Sequence, residues 1–209
     1  AADLRMGGFD YPIMSCAGSG NHGITASLPI IAVASKRGYA VRRLLVRRRN
    51  GQLSEEEEGK LKHLARAVAL SSLLTCYVTY HSKYLSALCG CAVKAGLGAA
   101  AGIAYLLDGK EETVKMAIQN MAANITGIIC DGAKEGCALK LMTSAAGAVE
   151  SALLAMKGVK VPSDNGIVAE EVENTIKNIG RLCGAMVATD AEVVRIMAGK
   201  QSKENLPQP

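Results

Sequence analysis

At 209 residues and 21.8 kDa, with 49% apolar residues, the chain is long enough to bury a sizeable core within one domain. Its 32 Ala and 22 Gly stand against seven aromatics and no Trp, which excludes most all-β folds and points to tightly packed helices. A net charge of +5 and a mean hydropathy of +0.17 exclude general disorder.

Residues 1–23 read as turn-rich, with Gly7-Gly8, Pro12, Gly18, Gly20 and Gly23 among them. A helix is predicted over Ile24 to Ser35, with Pro29 kinking it or marking its first turn. Residues 36–49 hold seven Lys/Arg and a narrow apolar stripe of Val41, Leu44 and Leu45, ending at an Asn50-Gly51 turn. Ser54 followed by Glu57 fits a capping box, and four consecutive glutamates suit the positive end of a helix running to Tyr80. His63 is expected on a charged, solvated face of that helix. His81 and Lys83 close it, where the helix dipole favours cations.

Further helices are predicted over Ala87 to Leu107, Glu111 to Ile129 and Ala138 to Met156, then 168–183 and 190–198. No alternating strand pattern occurs. The expected architecture is all-α, a compact bundle of small-residue-rich helices, with 1–200 as a single domain and 201–209 as a flexible tail. Lys94 and Glu150 interrupt the longest apolar runs, so no transmembrane helix is expected, and the opening residues carry no signal-peptide core. The chain lacks an initiator Met and opens almost at once into a glycine-rich motif, which points to a piece of a longer polypeptide.

Seven cysteines, an odd number in a helical chain, read as metal ligands or buried thiols in a cytoplasmic protein rather than as disulfides. Cys16, Cys89, Cys91, Cys130 and Cys137 lie beside glycine or in Gly-rich turns. Cys76 and Cys183 fall in apolar helical runs and are expected as core thiols. No CxxC…CxxC spacing argues for structural zinc. Cys89 or Cys91 with Cys130 and Cys137 offers three thiolates, which would leave one iron of a four-iron cluster open; buried cysteines in an Ala/Gly core remain the other reading.

The loop Ser19-Gly20-Asn21-His22-Gly23 precedes a helix, so its N–H groups can bind a carboxylate at the positive helix end. Asn21 can hydrogen-bond a substrate, and His22 can bind it or move a proton. Read from the residues alone, such a segment is more often simply a turn. Asp131, Lys134 and Glu135 are expected as loop residues, and Lys140 is not expected to carry pyridoxal phosphate, because no phosphate cradle accompanies it.

Three motifs occur in order: Ser15-Cys16-Ala17-Gly18-Ser19-Gly20-Asn21-His22-Gly23-Ile24, Leu85-Ser86-Ala87-Leu88-Cys89-Gly90-Cys91 and Cys130-Asp131-Gly132-Ala133-Lys134-Glu135-Gly136-Cys137. Over roughly residues 6–160 the chain resembles the C-terminal half of the L-serine dehydratase α-chain-like proteins that include L-cysteine desulfidase. The resemblance implies an all-α domain holding an oxygen-sensitive [4Fe-4S] cluster on Cys89, Cys130 and Cys137, with Cys91 the competitor for the first position. It implies catalytic roles for His22 and Asn21, and substrate binding by Ser19, Gly20, Asn21, His22 and Gly23. The reaction implied is elimination of water or hydrogen sulfide from L-serine or L-cysteine, giving pyruvate and ammonia.

The family's Gly-Cys-Thr-Glu-Pro-like motif is absent, which places the proton-abstracting base outside these residues. The implied partners are a small amino acid, an N-terminal half or partner subunit, and a second copy in a homodimer, with no membrane. The rival readings are a structural or regulatory helical domain, and a polyanion-binding module built on 36–49. Nucleic acid is the less favoured partner there, because no aromatics interleave the basic residues and Glu55–Glu58 lie close by.

Overall fold

The computed structural model describes residues 1–204 and the side chains of 1–200. It contains nine helices among the described residues: α1 (Ala2–Met6), α2 (Gly20–Lys36), α3 (Val41–Arg49), α4 (Glu55–Ser82), α5 (Val93–Leu107), α6 (Glu111–Ile125), α7 (Cys137–Met156), α8 (Val172–Ala185) and α9 (Val187–Glu204). The all-α expectation holds: among the described residues β pairing is limited to two isolated bridges, Cys16 with Ser19 and Leu88 with Ile129.

The bundle is organised around α5, which packs against α2, α4, α6 and α7. The reason is its composition. Its run of Gly and Ala lets neighbouring backbones approach closely, and every residue of α5 except Tyr105 and Leu107 is buried. A Cβ on Gly102 would sit 2.7 Å from the Ala67 carbonyl oxygen of α4. Larger side chains from the surrounding helices fill the remaining space: Ile30, Met121, Ile176 and Ile179 are each at most 1% exposed.

Beside Leu64 and Val78, the buried side of α4 carries hydroxyls. Thr75 donates to the Ser71 carbonyl at 2.8 Å, Thr79 to Thr75 at 2.7 Å and Ser82 to Val78 at 2.7 Å, so these buried hydroxyls are satisfied within their own helix. The capping box at Ser54 and Glu57 forms as the spacing predicts, with Glu57 N–H donating to Ser54 Oγ and Ser54 N–H to Glu57 Oε2.

Several boundaries differ from expectation. Residues 2–6 form a helix rather than a turn, and Pro29 lies inside α2, which begins at Gly20. The stretch 87–92 is not helical, because Cys89 N–H donates to the Ile128 carbonyl and Cys130 N–H to the Ala87 carbonyl. This non-local pairing displaces helical bonds from both segments, and α6 accordingly ends at Ile125 rather than 129. Helix α9 continues to Glu204, beyond the expected start of the tail at Gln201; residues 205–209 lie outside the described residues. By length and composition α7 could span a bilayer, yet its Leu141, Ser144, Gly147, Ala148, Ser151, Ala152 and Ala155 face is buried within the bundle.

Candidate functional site

Two loops and two helix starts meet at one end of the bundle. The first loop turns sharply at Ala17 and Gly18, both at positive φ, and Ser19 then caps α2 by accepting from His22 N–H at 3.5 Å. Close backbone approach explains Gly23, because a Cβ there would overlap the Met14 carbonyl. A Cβ on Gly20 would meet Arg5 Nε at 2.7 Å. Both glycines therefore serve packing of the loop onto residues 5–14, whatever else they do.

Asn21 and His22 are 2% and 4% exposed. Asn21 is already engaged by α1: its Oδ1 accepts from Arg5 Nη1 at 3.0 Å, and its Nδ2 lies 3.5 Å from Met6 Sδ. Arg5 is thus a site neighbour that the sequence pattern missed, since it precedes the motif. His22 Nδ1 lies 3.2 Å from the Cys16 carbonyl oxygen, so Nδ1 carries the proton and Nε2 is left as an acceptor. Burial, reinforced by the Lys94 charge, pushes the imidazole down to about 4. Nε2 faces Gly90, where a Cβ would overlap it. The glycine between Cys89 and Cys91 is therefore where the two motifs touch.

Cys89 is 2% exposed and in hydrogen-bond contact with Cys91. That contact pulls the Cys89 thiol below its ordinary range against its burial, with help from the Ala92 N–H and the Lys140 charge. The same bond, together with burial, pushes Cys91 up. One proton shared between neighbouring sulfurs accounts for both directions. The neighbouring Cys137 thiol adds to the upward push on Cys91, and the Ser19 side chain opposes it. The Leu88–Ile129 bridge draws Cys130 to the same end, and the Cys137 thiol donates to the Gly132 carbonyl at 3.5 Å at the start of α7. Lys140 fastens this loop by donating to Ile129 O at 3.0 Å and to Asp131.

All seven cysteines are free thiols. The soft, all-sulfur donor set around Cys89, Cys91, Cys130 and Cys137 fits iron–sulfur chemistry in kind. Among the described residues no three Cys, His, Asp or Glu side chains converge as a single metal ion requires. Ligands of a multi-iron group each bind a different iron, so such a group does not require three side chains to converge on one point.

Other expectations need correction. Cys76 is exposed, and only Cys183, half-buried against the core, behaves as a core thiol. Cys16 turns toward α4: its thiol donates to the Ser72 carbonyl at 3.5 Å, and burial followed by the neighbouring Cys76 pushes it up to about 11. His63 is not a solvated residue: its Nε2 lies 3.2 Å from the Leu106 carbonyl and its ring stacks 5.1 Å from Tyr105.

In α3 only Leu44 is buried. Arg47 pairs with Glu57 at 2.8 Å, whereas Glu56 and Glu58 pair with Lys60 and Lys62 of their own helix. Of the glutamates expected to offset the basic run, one reaches it. Arg42, Arg43, Arg48 and Arg49 form no ion pair among the described residues.

A family model described as serine dehydratase alpha chain matches residues 1–195. The chain is 43% identical over 204 residues to a UPF0597 protein of Desulfotalea psychrophila, covering 97% of this chain and 42% of that protein. It is 46% identical over 198 residues to a UPF0597 protein of Alkaliphilus metalliredigens, covering 94% and 40%. A UPF0597 protein of Clostridioides difficile is 43% identical over 198 residues, covering 94% and 42%. The chain spans about two fifths of the length of these curated relatives. No solved structure matches it.

Proposed function

The chain belongs to the serine dehydratase α-chain family, and from that premise we propose that it is the thiol-bearing, iron–sulfur part of a lyase. The reaction proposed is elimination of water or hydrogen sulfide from L-serine or L-cysteine, with the resulting aminoacrylate hydrolysing to pyruvate and ammonia. The observation that carries this reading is the contact of His22 with Gly90, which joins the Ser19–Gly23 loop to the Cys89–Cys91 pair.

Cys89, Cys130 and Cys137 are the proposed ligands of a [4Fe-4S] cluster, with Cys91 the alternative to Cys89. Held there, such a cluster supplies a Lewis-acidic iron that eases departure of a hydroxyl or thiol. The chain's own residues bind and orient. The Gly20 and Asn21 N–H groups precede the first intrahelical bond of α2 and point a partial positive charge toward a substrate carboxylate. His22, neutral above about pH 4, offers Nε2 as an acceptor to the substrate's ammonium or leaving group. Asn21, held by Arg5, fixes the loop against α1. The base that removes the α-proton belongs to the remaining three fifths of the longer relatives, as does any partner half. Seven free thiols support a reducing, cytoplasmic setting.

Anaerobic reconstitution with ferrous iron and sulfide tests the reading. The expected result is a brown chain that bleaches in air and loses most of its bound iron in Cys130→Ser and in Cys137→Ser. Unchanged iron in both variants refutes the ligand set. A colourless chain refutes the cluster.

A further inference from the structure

The chain has seven aromatic side chains, and five of them are exposed in just two segments: Phe9 and Tyr11 in one, Tyr77, Tyr80 and Tyr84 in the other. The other two, Tyr39 and Tyr105, pack against the core. Single exposed apolar residues are ordinary, but a cluster of large ones marks a surface that something covers. Met14 and Leu85 extend the two segments and are 83% and 93% exposed. Both segments lie against the loop that carries Ser19–Gly23. The Met14 carbonyl packs on Gly23, and a Cβ on Gly18 would stand 3.7 Å from the Tyr84 ring. Phe9 and Tyr11 stack on each other, with ring centroids 6.4 Å apart. Among the described residues, two that are not glycine have positive φ, Ala17 beside Gly18 and Lys83 beside Tyr84, so the backbone is strained at this same place.

We propose that this aromatic rim is the docking face for the part of the family's chain that lies beyond the matched two fifths. The docking rests on the reading given above, in which the proton-abstracting base belongs to that part. Two observations select this occupant over a second copy or an unrelated protein. The relatives are more than twice as long as the region matched, so a large body of covalently attached chain is at hand to cover the rim. A base must also come within hydrogen-bond reach of a substrate held at the Ser19–Gly23 loop, and the two aromatic segments border that loop. The composition agrees, since Tyr, Phe and Met are enriched in the cores of protein interfaces.

The test is hydroxyl-radical footprinting, in which oxidation of a side chain follows its exposure. The free 209-residue chain is compared with a full-length chimera, in which it replaces the matching 198 residues of the Alkaliphilus metalliredigens relative. In the chimera Met14, Tyr84 and Leu85 are expected to oxidise about tenfold more slowly, because interface cores exclude water. Met156 is the control, exposed as well but at the far end of α7, about 30 Å along the helix from Cys137. Leu85→Asp in the chimera is expected to restore oxidation of Met14 and Tyr84, while the same substitution leaves the urea midpoint of the free chain unchanged. Equal oxidation of the rim in both proteins, or protection of Met156 instead, overturns the inference. In the free chain alone, rim oxidation is expected not to depend on protein concentration. Protection that grows with concentration gives the rim to a second copy and overturns the inference too. These readouts involve neither iron nor pyruvate. A protected rim on a chimera that takes up no iron sinks the reading of the site and leaves the docking face standing; an iron-loaded chimera with an open rim does the reverse.

Discussion

His22 shows how one residue ties the fold to pH. Its pKa is about 4 in the folded chain and near 6.5 when unfolded, so between those values the unfolded state binds more protons. The stability it contributes is therefore complete above pH 6.5 and is lost as pH falls toward 4, to the extent of about 3 kcal/mol. Urea midpoints measured at pH 7, 5 and 4 check this, with His22→Asn as reference; the wild type is expected to lose more stability than the variant across that range. Gly90 is the neighbouring test. A methyl there overlaps His22 Nε2, and Gly90→Ala is expected to cost about 1–3 kcal/mol through overpacking, read as a lower urea midpoint. His22, Gly90 and Cys89 were legible as single residues, because each sits in a short motif. Arg5 and Lys94 were not, since one lies before the motif and the other acts on carbonyls ten and eleven residues away.

Among elements, α4 was the most readable because its start is written locally. Ser54 and Glu57 satisfy each other's N–H groups within four residues, so Ser54→Ala is expected to lower stability by about 1 kcal/mol, measured by thermal or urea unfolding. Segment 87–92 was misread for the opposite reason. Its Ala and Leu favour helix, but its hydrogen bonds go to residues 128–130, some forty positions away, and no local pattern records that pairing. The same bridge is what carries Cys89 and Cys130 to one end of the bundle. His63 follows the same logic: its partner Tyr105 belongs to α5, so a face that looks charged in sequence is half covered in the fold.

For the whole molecule, composition alone announced tight helical packing, and α5, with five Ala and three Gly in fifteen residues, is where that packing is closest. The catalytic whole is another matter, because the chain spans two fifths of its longer relatives. The reconstituted chain by itself is accordingly expected to form no pyruvate from L-serine or L-cysteine. A coupled lactate dehydrogenase assay checks this, and steady pyruvate formation would show that the proton-abstracting base lies within these 209 residues.

Enclosure of α5 on all sides has a kinetic corollary. Amides from Leu97 to Ala104 can meet solvent deuterium only when the entire bundle opens, whereas those of 83–91, outside any helix, can exchange through local excursions. The cysteine pair is thus mounted on the rim of the spindle expected to exchange most slowly, and deuterium uptake followed by mass spectrometry is expected to reach 83–91 well before Leu97–Ala104.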